Sequence, residues 1–276
     1  ISGHAVIVKK VTFSQMDEED LRELIHDEAG KYLPFDDMAT VDYDCQIIGE
    51  NPYNPTQMEV LLVAAKKEII EGYTGVIEAA GLVPVIMDVD SFALETMYEE
   101  NYDFEENDVA ILINIGASIT NLNAVKGGTS IFTRDFTLGV NSVTEAIAQN
   151  LGISFEEAET AKAEGFGDDE QARRVFREGL IAYADPICSE IERSVDYFRS
   201  TFGAETIKHI LLSGGGALIP GIAANLTERL AIETEIIDPF QKITCDAKIL
   251  KRESAELIGP IAAVSVGLAL RKVGDK

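Results

Sequence analysis

Apolar and polar positions alternate with two different periods along this chain, and the switches between them mark its elements. HAVIVKKVTF, from His4 to Phe13, reads as a strand with Val6, Val8 and Val11 on a face. Ser14 stands where an N-cap would open the helix MDEEDLRELIHDEAGKYL, which has an acidic first turn, shares Leu21, Leu24, Ile25 and Tyr32 on one side, and ends at Pro34. Val41 to Ile48 and Met58 to Ala65 read as strands about the turn-rich ENPYNPTQ. A helix follows, with Ile69, Ile70, Tyr73, Val76, Ile77 and Ala80 at helical spacing, closed by Gly81. Val83 to Val89 then reads as a strand and Ser91 as the start of a short helix. Nothing in these hundred residues looks catalytic.

The acidic stretch YEENYDFEEND leads to the segment around which the rest is organised, VAILINIGASITNLNAVKGG at 109 to 128. Val109 to Ile115 is apolar except for Asn114, Gly116-Ala117-Ser118 removes bulk at a bend, and Ile119 to Val125 alternates. Gly127-Gly128 returns the chain into a third strand, Thr129 to Leu138. Such a bend lets backbone N–H groups approach an anion, with the hydroxyls of Ser118 and Thr120 beside them. An ordinary core hairpin has the same pattern.

After Gly139 comes a helix through TEAIAQNL, then FEEAETAKAEG, then a longer helix striped by Ile187, Ile191, Val195, Phe198 and Phe202. Ile207 to Leu212 returns as a strand and exits through Ser213-Gly214-Gly215-Gly216-Ala217 into a helix over 218 to 230 that Pro220 could open. A strand, Glu233 to Ile237, and a helix around Ile258 to Leu270 complete the pattern.

Composition narrows the chemistry. With 276 residues, 46% hydrophobic and 26% charged, the chain can bury more than one core. Its 48 acidic against 23 basic residues give a charge of -25, which repels phosphate backbones and anionic lipid. Nucleic-acid binding is therefore not expected, and any anion site must rest on local backbone dipoles. Cys45, Cys188 and Cys245 are odd in number and far apart, so they read as small buried hydrophobes in a reducing compartment. His4, His26 and His209 share no metal-ligand spacing. No signal-peptide pattern opens the chain, and the longest apolar tract, Ile258 to Leu270, is too short to span a bilayer.

The glycine run fits neither the dinucleotide fingerprint nor the lysine-bearing phosphate loop, and a tight strand-to-helix connection would look the same. Glu159 and Lys162 lie three apart on a helix, where they can present a carboxylate and an ammonium together or simply form a surface pair.

Taken in order, a small-residue hairpin, a helix after Gly139, an E-x-x-K helix and a glycine-rich strand exit resemble the actin-like ATPase superfamily, and within it the PilM family of type IV pilus assembly proteins, relatives of FtsA. LINIGASITNLNAV resembles the second phosphate loop, SGGGALIPGIAANLTERL the adenosine loop, and EEAETAK the helix that touches ribose and base. KYLPF at 31 to 35 and AAGLVPVIMDVDSFAL at 79 to 94 resemble stretches that separate PilM-type proteins from FtsA and the sugar kinases.

The resemblance, which runs nearly end to end, implies an α/β, actin-like (ribonuclease H-like) two-core fold with an extra small α+β subdomain. Residues 1–85 would hold that subdomain and part of the first core. Residues 86–107 with a C-terminal helix 259–276 would complete the first core, 108–153 with 204–258 would form the second, and 154–203 a helical insert.

It also implies ATP with magnesium as ligand, contacted by Gly116, Ala117, Ser118, Thr120, Gly139, Glu159, Lys162, Gly214, Gly215, Gly216 and Ala217, with no catalytic residue nominated. The implied role is a cytoplasmic scaffold of the pilus machinery, held at the inner membrane through the short tail of a PilN-like protein, with pilus motor ATPases and self-association as further partners and no direct membrane insertion. An actin-fold ATPase or kinase and an FtsA-like filament protein are the alternatives.

Relatives open the second phosphate hairpin with a carboxylate that helps hold magnesium through water; here the position is Asn114. Relatives also begin with a D-x-G strand-turn-strand, whereas this chain begins ISGHAVIVKK. The expectation is a chain lacking its first hairpin and helix, with an incomplete nucleotide site and weak or absent ATPase activity.

Overall fold

A computed structural model describes residues 1–51, 54–203, 205–244 and 252–272. The chain divides into two compact units, one of Ile1–Val89 with the segment from Arg271, the other of Asp90–Leu270.

In the first unit, β1 (Val6–Ser14), β2 (Val41–Asn51) and β3 (Asn54–Lys66) form an antiparallel sheet in the order β1-β3-β2. Helix α1 (Glu18–Tyr32) lies on one face of it. Leu21, Ile25, Ala29 and Leu33 pack there with Phe13, Cys45, Met58, Val60, Leu62 and Ala64. Complete burial of Leu21 and Ile25 contributes about 2 kcal/mol each.

The register pairs Val11 with Val60 and Phe13 with Met58, which puts Ile7, Val11 and Phe13 toward α1 and turns Val6 and Val8 to the other face. The sequence reading, which grouped Val6, Val8 and Val11, is corrected here, since side chains alternate strictly along a strand. Ser14 is likewise not the helix cap. It ends β1, and Gln15 N–H still donates to Thr56 O (3.0 Å), so the chain cannot turn into a helix until Asp17, whose carboxylate accepts from Asp20 N–H at 2.9 Å.

Helix α2 (Lys67–Ala79) ends as its glycine requires: Gly81 has φ +79, with Gly81 N–H on Glu78 O and Leu82 N–H on Ile77 O. The expected strand Val83 to Val89 does not form. No strand among the described residues pairs with it, and an unpartnered strand has no ladder to satisfy its backbone. Val83 and Val85 are exposed, while Asp88 accepts a hydrogen bond from Arg271 Nε at 2.7 Å.

In the second unit, α3 (Asp90–Asn101) precedes β4 (Val109–Ile115), β5 (Thr120–Lys126) and β6 (Thr129–Phe136). Helices α4 (Val140–Leu151), α5 (Phe155–Glu164), α6 (Glu170–Glu178), α7 (Leu180–Tyr183) and α8 (Asp185–Thr201) follow. Then come β7 (Ile207–Ser213), a 3-10 turn (Gly215–Leu218), α9 (Ile222–Leu230), β8 (Thr234–Ile236) and α10 (Arg252–Leu270).

The sheet order is β6-β5-β4-β7-β8, antiparallel among the first three strands and parallel from β4 through β7 to β8. This is a ribonuclease H-like sheet in a mixed α/β unit. β4 lies at its centre with both faces covered, which is why its sequence is nearly continuous in apolar residues. Val109, Ile111, Ile113 and Ile115 pack with Val143, Ile147, Ile187, Ile191, Val195, Phe198 and Leu226. Ala110 and Leu112 pack on the opposite face with Leu94, Met97, Tyr98 and Ala263.

Gly127 (φ +54) and Gly128 (φ +84) make the tight β5–β6 turn. Pro220 does not open α9; it precedes Gly221 (φ +83), and the helix starts at Ile222. Cys45 and Cys188 are buried among hydrophobic side chains, whereas Cys245 lies outside the described residues.

Candidate functional site

The β4–β5 bend closes on itself and then closes on α4. Gly116 N–H donates to Ile119 O at 2.9 Å, and the two carbonyls that follow point at the next helix. Val140 N–H donates to Gly116 O (3.0 Å) and Asn141 N–H to Ala117 O (2.9 Å), so the bend supplies acceptors for the first amides of α4.

Gly139, the residue before that helix, must be glycine for steric reasons. A Cβ there would stand 2.4 Å from Gly116 O and 2.5 Å from Ala117 O. Thr120 is fully buried and spends its hydroxyl on Leu138 O (2.7 Å). Ser118 is exposed, and its Oγ accepts from Asn141 Nδ2 at 3.1 Å. Ala117 is exposed as well, and the amides of Ala117 and Ser118 have no backbone acceptor among the described residues. The amides left open at this bend are thus those two rather than the first amides of α4.

The glycine run meets the same bend from the neighbouring strand. A Cβ on Gly214 (φ +79) would lie 2.4 Å from Ile115 O, and one on Gly216 would lie 2.2 Å from Ile115 Cγ2 and 3.1 Å from Val140 Cγ1. Gly214 N–H donates to Pro260 O at 2.8 Å. Ala217 is buried in the same core as Ile115. Gly215 is different: it is exposed, and nothing lies within 4 Å of where its Cβ would be. Two glycines therefore let the loops touch, and the third presents bare backbone to open space.

Glu159 and Lys162 are joined to α4 by a residue that sequence reasoning missed. Thr144, fully buried, donates its hydroxyl to Glu159 Oε1 and accepts from Lys162 Nζ at 2.8 Å, while Lys162 also pairs with Glu159 Oε1. Burial acts to raise the Glu159 carboxyl, but hydrogen bonds from Lys162 and Thr144 outweigh it and hold the group below the ordinary glutamate value. Thr144 is one helical turn, about 6 Å along the axis, from Val140, which touches the glycine run. The direct contacts therefore join Gly116, Ala117, Ser118, Gly139, Gly214 and Gly216, with Glu159 and Lys162 bound one turn further along α4. A threonine four positions into a helix gives no signal in sequence that it faces an E-x-x-K pair.

A family model described as type IV pilus assembly protein PilM matches residues 1–273. A solved structure of a PilM-PilN type IV pilus biogenesis complex superposes with a TM-score of 0.81 at 28% identity, covering 99% of this chain and 78% of that one. The ethanolamine utilization protein EutJ from Carboxydothermus hydrogenoformans is similar at a TM-score of 0.52 and 20% identity, over 72% of this chain and 60% of that one. Together these likenesses give the fold as actin-like.

Proposed function

This chain belongs to the type IV pilus assembly protein PilM family, and from that membership we propose that it is a nucleotide-binding scaffold which engages the tail of a PilN-like inner-membrane protein. The observation that carries the nucleotide part is the convergence of two backbone loops at Gly116, Gly139, Gly214 and Gly216, with Gly215 left bare beside them. The amides of Ala117 and Ser118 and the surface of Gly215 would receive phosphates and a flat base or sugar. Glu159 and Lys162 would stand on the ribose side, held in place by Thr144.

A nucleotide bound there supplies polyanionic charge that draws the two loops together; hydrolysis is not needed for that. Turnover ranks second in this reading, because Asn114 carries an amide where a carboxylate would be required to act as a base or to hold a metal's water. The scaffold part rests on the likeness to the PilM-PilN complex over nearly the whole chain. No helix among the described residues is long and apolar enough to cross a membrane. In this reading attachment at the inner membrane comes through the protein partner.

The test has two arms. Titration with a fluorescent ATP analogue should give saturable binding that Gly215→Val abolishes without lowering the melting temperature. Immobilised peptide of the PilN-like tail should capture the chain whether or not nucleotide is present. A chain that binds neither nucleotide nor tail overturns the proposal.

A further inference from the structure

A row of polar side chains crosses four strands at the loop end of the second unit's sheet. The register pairs Asn114 on β4 with Asn121 on β5 and with Ser213 on β7, and Asn121 in turn with Asp135 on β6. Asn114 Nδ2 donates to Asn121 Oδ1 at 3.2 Å. Ser213 donates to Ile113 O at 3.2 Å and lies 3.5 Å from Asn114 Oδ1. The row abuts the glycine run, since a Cβ on Gly214 would stand 2.6 Å from Asn114 Oδ1.

Asn121 is 3% exposed, and its Nδ2 finds no hydrogen-bond partner among the described residues. A buried amide donor left unpaired is costly enough that an acceptor is expected to satisfy it. The open valence here is an N–H, not an oxygen. Magnesium requires oxygen ligands, carboxylates foremost, and octahedral room. The oxygen of Asn121 already accepts from Asn114, Asn114 offers a neutral amide oxygen and no carboxylate, and the row's carboxylate, Asp135, stands two strands from Asn114, about 10 Å away. Among the described residues no group of three or more His, Cys, Asp or Glu side chains is arranged to hold a metal ion. The donor set does not fit a divalent cation; it fits an anion.

We infer that this neutral amide row takes the place of a metal. Asn121 Nδ2 donates to a phosphate oxygen, directly or through one bridging water, and nucleotide binding by this chain is independent of divalent cation. The inference rests on the nucleotide reading above and adds to it which partner the phosphates use.

Calorimetric titration of ATP into the whole chain, once with excess magnesium and once with excess chelator, tests it. The expected affinities agree within about threefold, below the roughly tenfold or more that a hydrogen bond to a charged group contributes. Asn121→Leu, which keeps the branching of the side chain but removes the donor together with the oxygen that accepts from Asn114, should weaken both titrations by roughly tenfold or more. Asn114→Asp should weaken binding in chelator and recover in magnesium, and it serves if Asn121→Leu fails to melt cooperatively. Wild-type binding that weakens tenfold on chelation overturns the inference while leaving the nucleotide reading intact. Metal-indifferent binding unchanged by Asn121→Leu removes the role of Asn121. Binding in neither condition overturns the nucleotide reading and this inference with it.

Discussion

Substituting alanine at three consecutive glycines should give three different results, because the chain around them allots each a different duty. At Gly216 the new Cβ would lie 2.2 Å from Ile115 Cγ2 and 2.6 Å from Ile115 Cβ, well over 1 Å inside the ordinary contact distance of about 3.5–4.0 Å. Ile115 is fully buried on the central strand, in the core cluster that holds Val143, Ile147 and Leu226. Overpacking of that kind costs about 2–3 kcal/mol. In a cooperative unit of this size that lowers the melting temperature by roughly 4–12 °C.

At Gly214 two penalties combine: φ +79, which costs an L residue about 1–2 kcal/mol, and a Cβ 2.4 Å from Ile115 O. The expected loss is about 3 kcal/mol or more. At Gly215 neither applies, and alanine stiffens the unfolded chain, so stability should hold or rise by about 0.4–1 kcal/mol. Nucleotide affinity should order the other way for a bulky group at 215. Circular dichroism melts paired with ATP-analogue titration report both quantities. The reasoning is refuted if Gly215→Ala melts as low as Gly216→Ala, or if Gly216→Ala melts within about 1 °C of wild type.

Three further outcomes follow from single contacts. Thr144→Val preserves shape but removes the hydroxyl shared by Glu159 and Lys162; with Glu159 partly exposed, the loss should be about 1–2 kcal/mol, read as a lower urea midpoint at unchanged slope. His209 is half-buried beside Tyr98, with Lys208, Asp108, Glu233 and Glu235 around it, and burial holds its pKa below the ordinary histidine value. The unfolded state then binds the proton more readily, so the His209 contribution favours the fold above about pH 6.5 and turns against it as pH falls through that value. The stability difference between wild type and His209→Gln should therefore shrink or change sign between pH 7 and pH 5; a pH-independent difference contradicts it. Gly267→Ala would set a Cβ 1.7 Å from Ala93 O where α3 and α10 cross, and should cost at least about 3 kcal/mol; a variant melting within about 3 °C of wild type would refute that close crossing.

Much of the second unit was legible in the residues because its signals are local. The apolar run of β4, the bend at Gly116-Ala117-Ser118, the Gly127-Gly128 return and the stripe from Ile187 to Phe198 all appear where periodicity places them. Elements whose ends depend on a neighbour were read less well. The helix cap fell at Asp17 instead of Ser14 because β3 holds Gln15 in pairing, and Val83 to Val89 has strand composition without a strand beside it. The face of β1 was misassigned for the same reason, since which half of an alternating strand is core depends on which side α1 covers.

What the sequence by itself determined is therefore composition within elements: the period of most strands and helices, where glycines permit bends, and that a neutral Asn114 stands at the end of β4 before the Gly116 bend. What only the tertiary structure decided is adjacency. Register set Asn121 and Ser213 beside Asn114, Thr144 between Glu159 and Lys162, and Gly215 apart from its two neighbours. Apart from the hairpin pair itself, the side-chain pairings join residues at least 15 positions apart. Short-range periodicity fixes the phase of each element, but cross-strand register and helix docking fix which atoms meet, and a binding site is made of the atoms that meet.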